Sequence, residues 1–276
     1  MKILKSPKFQ DAATELEFLN AGFVHLRNFL RRDELRQLKS IFDSCYNYSG
    51  EEQGMWNSLY NLSATQSAAV SRQILEVLKS KLQATFQNYK TPVASFMVKN
   101  PNRNGITDLH RDYSTQDESV FQYRNIWIPL VDTRPENGAL YALKYSHTFF
   151  DYPLPMFCKW PYIRYQETLF KHCDVIDARA GDLVVYADRA LHGSFVNQTS
   201  EPRPVVHFGL LHPDAELCYY YLDETANEVT IYDAPFTFFF ENNFGNQDGR
   251  LPVRRKFAYT PPEFSKEEIL KGLKIA

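Results

Sequence analysis

The fold is constrained most by two histidines that stand far apart in the chain and by an aspartate close to the first of them. His110 and Asp112 are two residues apart, so on a strand or at its edge their side chains point to the same side. His192 follows much later. Two imidazoles and one carboxylate on one face of an octahedral metal leave its other positions open, the ligand set that suits non-heme Fe(II) oxygenases. To bring these three residues together, the chain must return through several strands, as in a β-barrel.

Order and spacing separate this pair from the other His-x-Asp pairs, which begin at His172 and His212 and end at Asp174 and Asp214. No histidine follows His212. Between His172 and His192 there is room for only about two strands of the usual ~5–6 residues. We therefore predict surface or hydrogen-bonded roles for these two pairs, and a metal site at His110, Asp112 and His192.

An arginine and a serine near His192 point to a carboxylate ligand. Ser194 is two residues past His192 and shares a strand face with it. The turn-rich segment 197–202 predicts a hairpin that folds Arg203 back beside the strand of His192. Arginine binds carboxylates through two parallel hydrogen bonds, so Arg203 and Ser194 are candidates to hold a keto acid against the metal. The alternative is a surface arginine next to Glu201.

Composition excludes several other classes of protein. Net charge is −2, with 31 basic and 33 acidic side chains, which argues against a nucleic-acid or membrane surface. The four cysteines are scattered without a zinc pattern, and we expect them to be reduced in a cytoplasmic protein. The sequence shows neither a signal peptide nor an apolar run of the ~18–20 residues that a membrane helix needs. We expect a small-molecule substrate, and the oligomeric state is left open.

The hydrophobic pattern predicts helices first and strands afterwards. Helical periodicity covers 11–20, 32–47 and 66–89, with a short strand at 23–26. Beyond Pro92, short Val-, Ile- and aromatic-rich segments alternate with turn residues, which is typical of a sandwich, jelly roll or barrel. These strands are expected near 93–99, 125–131, 139–144, 182–187, 191–196, 204–211, 216–222 and 228–233. We predict one domain (1–276), with a mainly helical part (1–91), a jelly-roll core (92–234) and a C-terminal extension (235–276).

Three further segments carry predictions of their own. The segment 148–172 is irregular, aromatic and longer than an ordinary connection, so it is a candidate lid or substrate loop. The run 236–240 is rich in phenylalanine and is expected to form a buried strand. Ser265 and Glu268 have the spacing of a capping box, which predicts a final helix.

The chain resembles the phytanoyl-CoA dioxygenase family of Fe(II)/2-oxoglutarate oxygenases over roughly residues 20–212. Each motif is weak alone, but together they follow the order of the family. The matching segments are 21–30, 99–101, 110–112, 126–132, 137–140, 146–147, 181–183 and 192–194, with Asn197 and Arg203.

This resemblance implies a fold and a reaction. The fold would be a double-stranded β-helix, a cupin-like jelly roll that is mainly β, with the N-terminal helices packed on the major sheet. His110, Asp112 and His192 would bind Fe(II), and Arg203 and Ser194 would bind the distal carboxylate of 2-oxoglutarate. The reaction would consume O2, hydroxylate the substrate and release succinate and CO2. Related halogenases lack the carboxylate ligand, so the presence of Asp112 favours hydroxylation.

The substrate is not identified by the sequence. Candidate pocket walls are Tyr113, Tyr123, Trp127, Tyr141 and Phe195, some of which we expect to be ordinary core aromatics. Lys99 and Arg124 could pair with carboxylates of the substrate or co-substrate, or be solvated. Lys144 stands where the family often has Pro-Gly, and it could meet an anionic substrate group or simply be exposed.

Two rival functions remain open at this stage. One is a hydrolase or isomerase that uses the same jelly-roll site with Zn or Mn, and the other is a non-catalytic sensor or scaffold. Arg203 and Ser194 argue against the first rival, and the intact set of three ligands argues against the second.

Overall fold

The computed structural model describes residues 4–48, 55–101, 107–239 and 244–275. Its helices lie mostly before the main sheets, as the hydrophobic periodicity predicted. They are α1 (Ala12–Ala21), α2 (Arg32–Cys45), α3 (Ala64–Thr85), α4 (Ser146–Phe149), α5 (Gln166–Phe170) and α6 (Lys266–Gly272). Short 3-10 turns occur at Pro135–Asn137, Ile163–Tyr165 and Phe236–Phe239.

The strands include all eight that the sequence predicted beyond Pro92, with ends shifted by at most two residues. They are β1 (Lys8–Phe9), β2 (Phe23–Leu26), β3 (Met55–Asn57), β4 (Phe86–Gln87), β5 (Ser95–Lys99), β6 (Thr107–His110), β7 (Arg124–Pro129), β8 (Leu140–Ala142), β9 (Asp174–Ile176), β10 (Leu183–Ala187), β11 (His192–Ser194), β12 (Arg203–Leu210), β13 (Cys218–Asp223), β14 (Glu228–Asp233) and β15 (Val253–Ala258).

Polar side chains and one glycine set the helix ends. The Asp11 carboxylate accepts a hydrogen bond from the backbone N–H of Thr14 and caps α1. The helix ends at Gly22, whose φ of 87° lies in the left-handed region that favours glycine. The predicted capping box of α6 is confirmed, because the Ser265 side chain accepts from the Glu268 N–H and the Glu268 side chain accepts from the Ser265 N–H.

The major sheet has six strands in the order β2-β10-β7-β12-β5-β3, all antiparallel. One of its faces packs against α2 and α3, as predicted. Leu38 and Leu78 of these helices join Phe96, Ile126 and Val206 of the sheet in one core cluster of fully buried side chains. The sheet also includes β2 and β3, which precede residue 92, so the predicted helical part contributes two edge strands.

A second sheet faces the other side of the major sheet. Its order is β6-β11-β8-β9, and all its pairs are antiparallel. Trp127, Val184 and Val205 of the major sheet cluster with Leu140 and Ile176 of this minor sheet between the two layers. The fold is therefore the predicted mainly β jelly roll, a double-stranded β-helix with helices on the outer face of the major sheet.

The third sheet differs from the prediction. β13 and β14 were expected in the jelly-roll core, but they form a separate three-stranded sheet with β15, which the sequence reasoning missed. This C-terminal sheet (β13–β15) can stand apart because both of its faces are covered. Tyr220 and Ile231 cluster with Leu154 on one face, and Tyr219 and Tyr232 cluster with Phe238 on the other.

Two other predictions were wrong. The phenylalanine-rich run forms a 3-10 turn over Phe236–Phe239 instead of a strand, and Phe238 donates its N–H to the carbonyl of Pro235 at 3.0 Å. Phe240 lies outside the described residues. The segment 192–210 is not a hairpin, because β11 belongs to the minor sheet and β12 to the major sheet. Among the described helices, none is long and apolar enough to cross a membrane.

The packing of the helices on the major sheet leads to a stability prediction. Leu78 is fully buried between α3 and the sheet, so Leu78→Ala should lower the free energy of unfolding by about 2–5 kcal/mol. Leu16 on α1 is 61% exposed, so Leu16→Ala should stay within about 0.5 kcal/mol of the wild type. Urea denaturation of both variants measures the difference, and equal stabilities would contradict this account of the core.

Candidate metal centre

The antiparallel pairing of β6 with β11 brings the two predicted imidazoles together. His110 at the end of β6 lies directly opposite His192 at the start of β11. Asp112 follows β6, and its Oδ1 lies 3.8 Å from the Nε2 of each histidine. One ligand atom from each of the three residues lies within 4.8 Å of the others. The three residues therefore come together as their spacing predicted. In the described part of the chain, they form the cluster whose side chains could hold a metal ion.

Both imidazoles are oriented by backbone carbonyls. The Nδ1 of His110 lies 2.8 Å from the carbonyl oxygen of Asp108, and the Nδ1 of His192 lies 2.9 Å from that of Ala190. A carbonyl can only accept a hydrogen bond, so Nδ1 carries the proton and Nε2 keeps its lone pair. Burial, together with the neighbouring His110, lowers the pKa of His192 to about 4. His192 is therefore neutral at physiological pH.

The carboxylate of Asp112 is held from two directions. Asn125 of β7 donates its side-chain N–H to Asp112 Oδ2 at 2.6 Å, which leaves Oδ1 facing the imidazoles. The backbone N–H of Asp112 donates to the carbonyl of Asp188 at 3.2 Å. Burial alone would raise the pKa of Asp112, but His192 and His110 outweigh it and the pKa is lowered. An ionised carboxylate beside two imidazoles is a donor set for a divalent cation.

A tyrosine and a third histidine extend the polar interior behind His192. The rings of Tyr186 and His192 lie 4.3 Å apart, centroid to centroid. The hydroxyl of Tyr186 lies 3.1 Å from Nε2 of His207 on β12. Tyr186 therefore packs against the ring of His192 while its hydroxyl gives His207 a hydrogen-bonding partner.

The two basic residues Lys99 and Arg203 pair across β5 and β12 and are both buried. Arg203 is 2% exposed, and its guanidinium carbon lies 5.7 Å from the ring centroid of Trp127. Within the described residues, its Nε and Nη1 have no hydrogen-bonding partner. Burial lowers the pKa of Arg203 to about 9, and burial together with Arg203 lowers that of Lys99 to about 7. Burial thus disfavours the charged forms of both side chains, and an anion bound between them would favour those forms, so the pair is suited to an anion.

The backbone of Ser194 also takes part in this site. Its backbone carbonyl accepts a hydrogen bond from Nζ of Lys99 at 3.2 Å. This contact links β11 of the minor sheet to β5 of the major sheet. Arg203 therefore approaches the interior from the opposite sheet rather than along a hairpin with β11.

A buried network of charges lies behind the metal ligands, and the sequence reasoning missed it. Arg111, which stands between His110 and Asp112, donates to Glu118 at 2.7 Å and to the carbonyls of Phe150 and Tyr152 at 2.8 and 2.6 Å. Arg189 lies on the other side of Glu118, with its Nε 3.3 Å from Oε2. Glu118 thus joins the segments that carry both halves of the predicted metal site.

The predicted lid segment, residues 148–172, packs directly over the site. The ring centroid of Trp160 lies 5.7 Å from that of His110. The hydroxyl of Tyr162 accepts a hydrogen bond from the backbone N–H of Arg111 at 2.9 Å, and the side chain of Gln166 donates to the carbonyl of Leu109 at 3.1 Å. These contacts place the segment against the edge of the minor sheet that carries His110.

The candidate substrate residues fall in different surroundings. Trp127 lies against Arg203, and half-buried Tyr113 belongs to the cluster under the lid segment. Tyr123 is buried with Leu211 and Ala215 at the side of the barrel. Tyr141 donates its hydroxyl to the carbonyl of Thr107 at 2.8 Å and packs with its ring centroid 5.1 Å from that of Phe195.

Two of the basic candidate residues, Lys144 and Arg124, form ion pairs away from the candidate metal centre. The ammonium of Lys144 lies 2.7 Å from Asp174 on an exposed surface, which matches the exposed alternative. Arg124 is neither solvated nor in the site, because it donates two hydrogen bonds to Glu15 at 2.9 and 2.8 Å while it stacks on Phe18. Asp214 of another His-x-Asp pair forms an exposed ion pair with Lys5 at 3.0 Å.

Comparison with known proteins finds one matching family model and many solved structures with a similar fold. The family model of phytanoyl-CoA dioxygenase matches residues 18–205. The carbocyclase SnoK of nogalamycin biosynthesis, described as non-heme and alpha-ketoglutarate-dependent, is 18% identical with a TM-score of 0.52, over 72% of this chain and 83% of its own. HygX from Streptomyces hygroscopicus, crystallised with nickel and 2-oxoglutarate, is 15% identical with a TM-score of 0.55. The match covers 74% of this chain and 88% of HygX.

A third similar structure is AviO1 from Streptomyces viridochromogenes Tue57, which is 20% identical with a TM-score of 0.51, over 74% of this chain and 96% of its own. Identities this low show a shared fold. Among curated proteins, no sequence matches the chain.

The buried network predicts a large effect on stability. Glu118→Ala would leave the guanidinium groups of Arg111 and Arg189 buried beside an empty space, so the free energy of unfolding should fall by about 3–5 kcal/mol. Lys144→Ala removes an exposed ion pair and should cost at most about 1 kcal/mol. Chemical denaturation distinguishes the two variants. A small loss in Glu118→Ala would mean that the network does not hold the two ligand segments together.

Proposed function

The chain belongs to the phytanoyl-CoA dioxygenase family, and we propose that it is an Fe(II)- and 2-oxoglutarate-dependent oxygenase. Its reaction would hydroxylate an unactivated carbon of a small or medium organic substrate, with release of succinate and CO2. The observation that carries the proposal is the buried guanidinium of Arg203, which has two unpartnered donors in the described structure and lies in the same interior as the three candidate metal ligands.

The donor set fits Fe(II). His110 and His192 present their Nε2 atoms, and Asp112 presents Oδ1, each fixed by a second hydrogen bond on its other polar atom. Imidazole and carboxylate together suit divalent first-row metals, and the two-histidine, one-carboxylate set favours non-heme Fe(II). The structural relative HygX has been crystallised with iron bound, which supports the same choice for this chain.

The basic pair fits a dicarboxylate. An arginine buried without an anion is costly, and a carboxylate that accepts two parallel hydrogen bonds would satisfy its Nε and Nη groups. Lys99, which lies opposite Arg203 in the register, would add a second positive charge. We propose that Arg203 holds the distal carboxylate of 2-oxoglutarate, that Lys99 supports it, and that Ser194 positions Lys99 through its carbonyl.

The protein would contribute positioning and protection from water. Fe(II) with 2-oxoglutarate supplies the activation of O2 that such hydroxylations require. Asn125 keeps Asp112 turned towards the imidazoles, and the Ala190 carbonyl keeps the proton of His192 on Nδ1. Trp160 and the rest of the lid segment cover the His110 side, which limits the entry of bulk water.

The rival functions are less well supported. A hydrolase or isomerase that uses the same three ligands has no need of a buried arginine with open donors beside them. A sensor would need the binding site but no substrate cavity, and a cavity lies next to the lid segment.

The metal assignment can be tested without knowing the substrate. In an anaerobic titration, the metal-free protein should develop a weak visible charge-transfer band only when both Fe(II) and 2-oxoglutarate are present. Asp112→Ala should lose or weaken this band because it removes the anionic ligand. Asp174→Ala, which alters the carboxylate of another His-x-Asp pair at the surface, is the matched control and should keep it.

Circular dichroism should show the same fold for both of these variants. Absence of the band in the wild-type protein, despite tight metal binding, would support the hydrolase or sensor instead. A band of full intensity in Asp112→Ala would show that Asp112 is not a ligand.

The role of Arg203 is open to the same titration. Arg203→Ala should weaken the binding of 2-oxoglutarate by about 10- to 100-fold, since hydrogen bonds to charged groups contribute about 1.5–3 kcal/mol. Arg255→Ala changes an exposed arginine on β15 and should leave the affinity unaltered. If both variants bind 2-oxoglutarate like the wild type, the co-substrate is anchored elsewhere.

A further inference from the structure

A cavity of about 490 Å³ lies between the lid segment and the C-terminal sheet. Its walls come from three parts of the chain, which are residues 158–164 of the lid segment, the turn between β13 and β14, and the segment 260–263 after β15. Pockets that hold small organic ligands usually measure roughly 300–1,000 Å³, so the cavity has the size for one such molecule.

About half of this cavity is formed by residues outside the segment that the family model matches. The match ends at residue 205, and β13, β14 and β15 all follow it. The other half belongs to the lid segment, which lies inside the matched region. The matched region therefore accounts for only one wall of the cavity.

Two aromatic residues connect the cavity with the candidate metal centre. Trp160 lines the cavity, and its ring centroid lies 5.7 Å from that of His110. Tyr113, the residue after Asp112, packs in the same cluster as Trp160 and Leu222, and Leu222 also lines the cavity. Trp160 is therefore shared between the wall of the cavity and the surroundings of His110, which makes the cavity a neighbour of the candidate metal centre.

The apolar part of the lining is broad. Trp160, Pro161, Leu222, Pro261 and Pro262 contribute apolar or ring surfaces from both walls. Such surfaces bind the apolar faces of rings or alkyl groups by removing them from water. The cavity therefore favours a molecule with an extended apolar face.

The polar part of the lining is balanced in charge. Lys159 and Arg164 supply two positive charges, and Glu224 and Glu263 supply two negative ones. A coenzyme A ester carries several phosphate charges and would need an excess of basic groups, which this lining lacks. The basic side chains donate hydrogen bonds and the carboxylates accept them. A hydroxyl group both donates and accepts, so it can bind to either type of side chain.

We propose that this cavity binds the substrate and that the substrate is an uncharged, hydroxylated organic molecule with an apolar face, not a coenzyme A ester. The proposal rests on the oxygenase function proposed above, because that function requires the reacting carbon to lie near the metal. The C-terminal sheet then forms the side of the cavity that determines which substrates are accepted.

The test compares three probes that share an eight-carbon chain and differ in charge, namely octyl glucoside, octylamine and octanoyl-CoA. The full-length protein is loaded anaerobically with Mn(II) and 2-oxoglutarate, and binding is followed by the NMR line widths of each probe below its micelle concentration. Octyl glucoside should bind best, and Mn(II) should broaden its proton signals because the cavity adjoins the metal.

A matched pair of variants locates the binding. Thr225 lies in the turn between β13 and β14 and Thr260 follows β15; both are exposed, but of the two only Thr260 lines the cavity. Thr260→Phe should fill the cavity and weaken binding of octyl glucoside by about tenfold or more, equivalent to 1.4 kcal/mol. Thr225→Phe should bind like the wild type.

The proposal is overturned if octyl glucoside does not bind, if octanoyl-CoA or octylamine binds more tightly, or if Thr260→Phe has no effect. Its failure can be told apart from failure of the oxygenase function. If the Fe(II)/2-oxoglutarate band appears in the wild type while any of these results is found, only the assignment of the cavity is wrong.

Discussion

The pairing of β6 with β11 is the interaction on which the candidate site depends. It places His110 opposite His192, two residues that are distant in the chain, and Asp112 follows as β6 ends. The strands can approach closely because residue 193 is glycine. A Cβ there would collide with the carbonyl of Thr107 and the hydroxyl of Tyr141. One small residue between two functional ones therefore allows the minor sheet to close around the metal ligands.

Two buried arginines show how structural and ligand-binding charges differ. Arg111 is surrounded by acceptors, since Glu118 and the carbonyls of Phe150 and Tyr152 all receive its hydrogen bonds. Arg203 is equally buried, yet the described residues offer no acceptor to its Nε and Nη1. Because the cost of burying a charge must be offset in the folded protein, the first arginine is stabilised by the protein itself and the second is suited to an outside anion.

The sequence predicted the parts of this molecule that local rules control. Alternation located the strands, a capping box located the start of α6, and the order of His110, Asp112 and His192 selected one pair from three. One wrong prediction is the phenylalanine-rich run, where a 3-10 turn replaces the expected strand, and the others concern which strands pair. Nothing in the residues near Arg203 distinguishes a hairpin from a crossing between sheets, and β13 and β14 alternate as jelly-roll strands would. The partner of Glu118 was missed because Arg111 and Arg189 become its neighbours only after the barrel closes.

The lid segment is fixed to the backbone that carries His110 and Asp112, and Arg111 makes the connection. Its backbone lies between His110 and Asp112 and donates its N–H to the hydroxyl of Tyr162, while its guanidinium binds the carbonyls of Phe150 and Tyr152. Any displacement of residues 150–162 must break these bonds or move the backbone between the two candidate ligands. Since the lid segment also forms one wall of the cavity, that wall is anchored to the same stretch of backbone as His110 and Asp112.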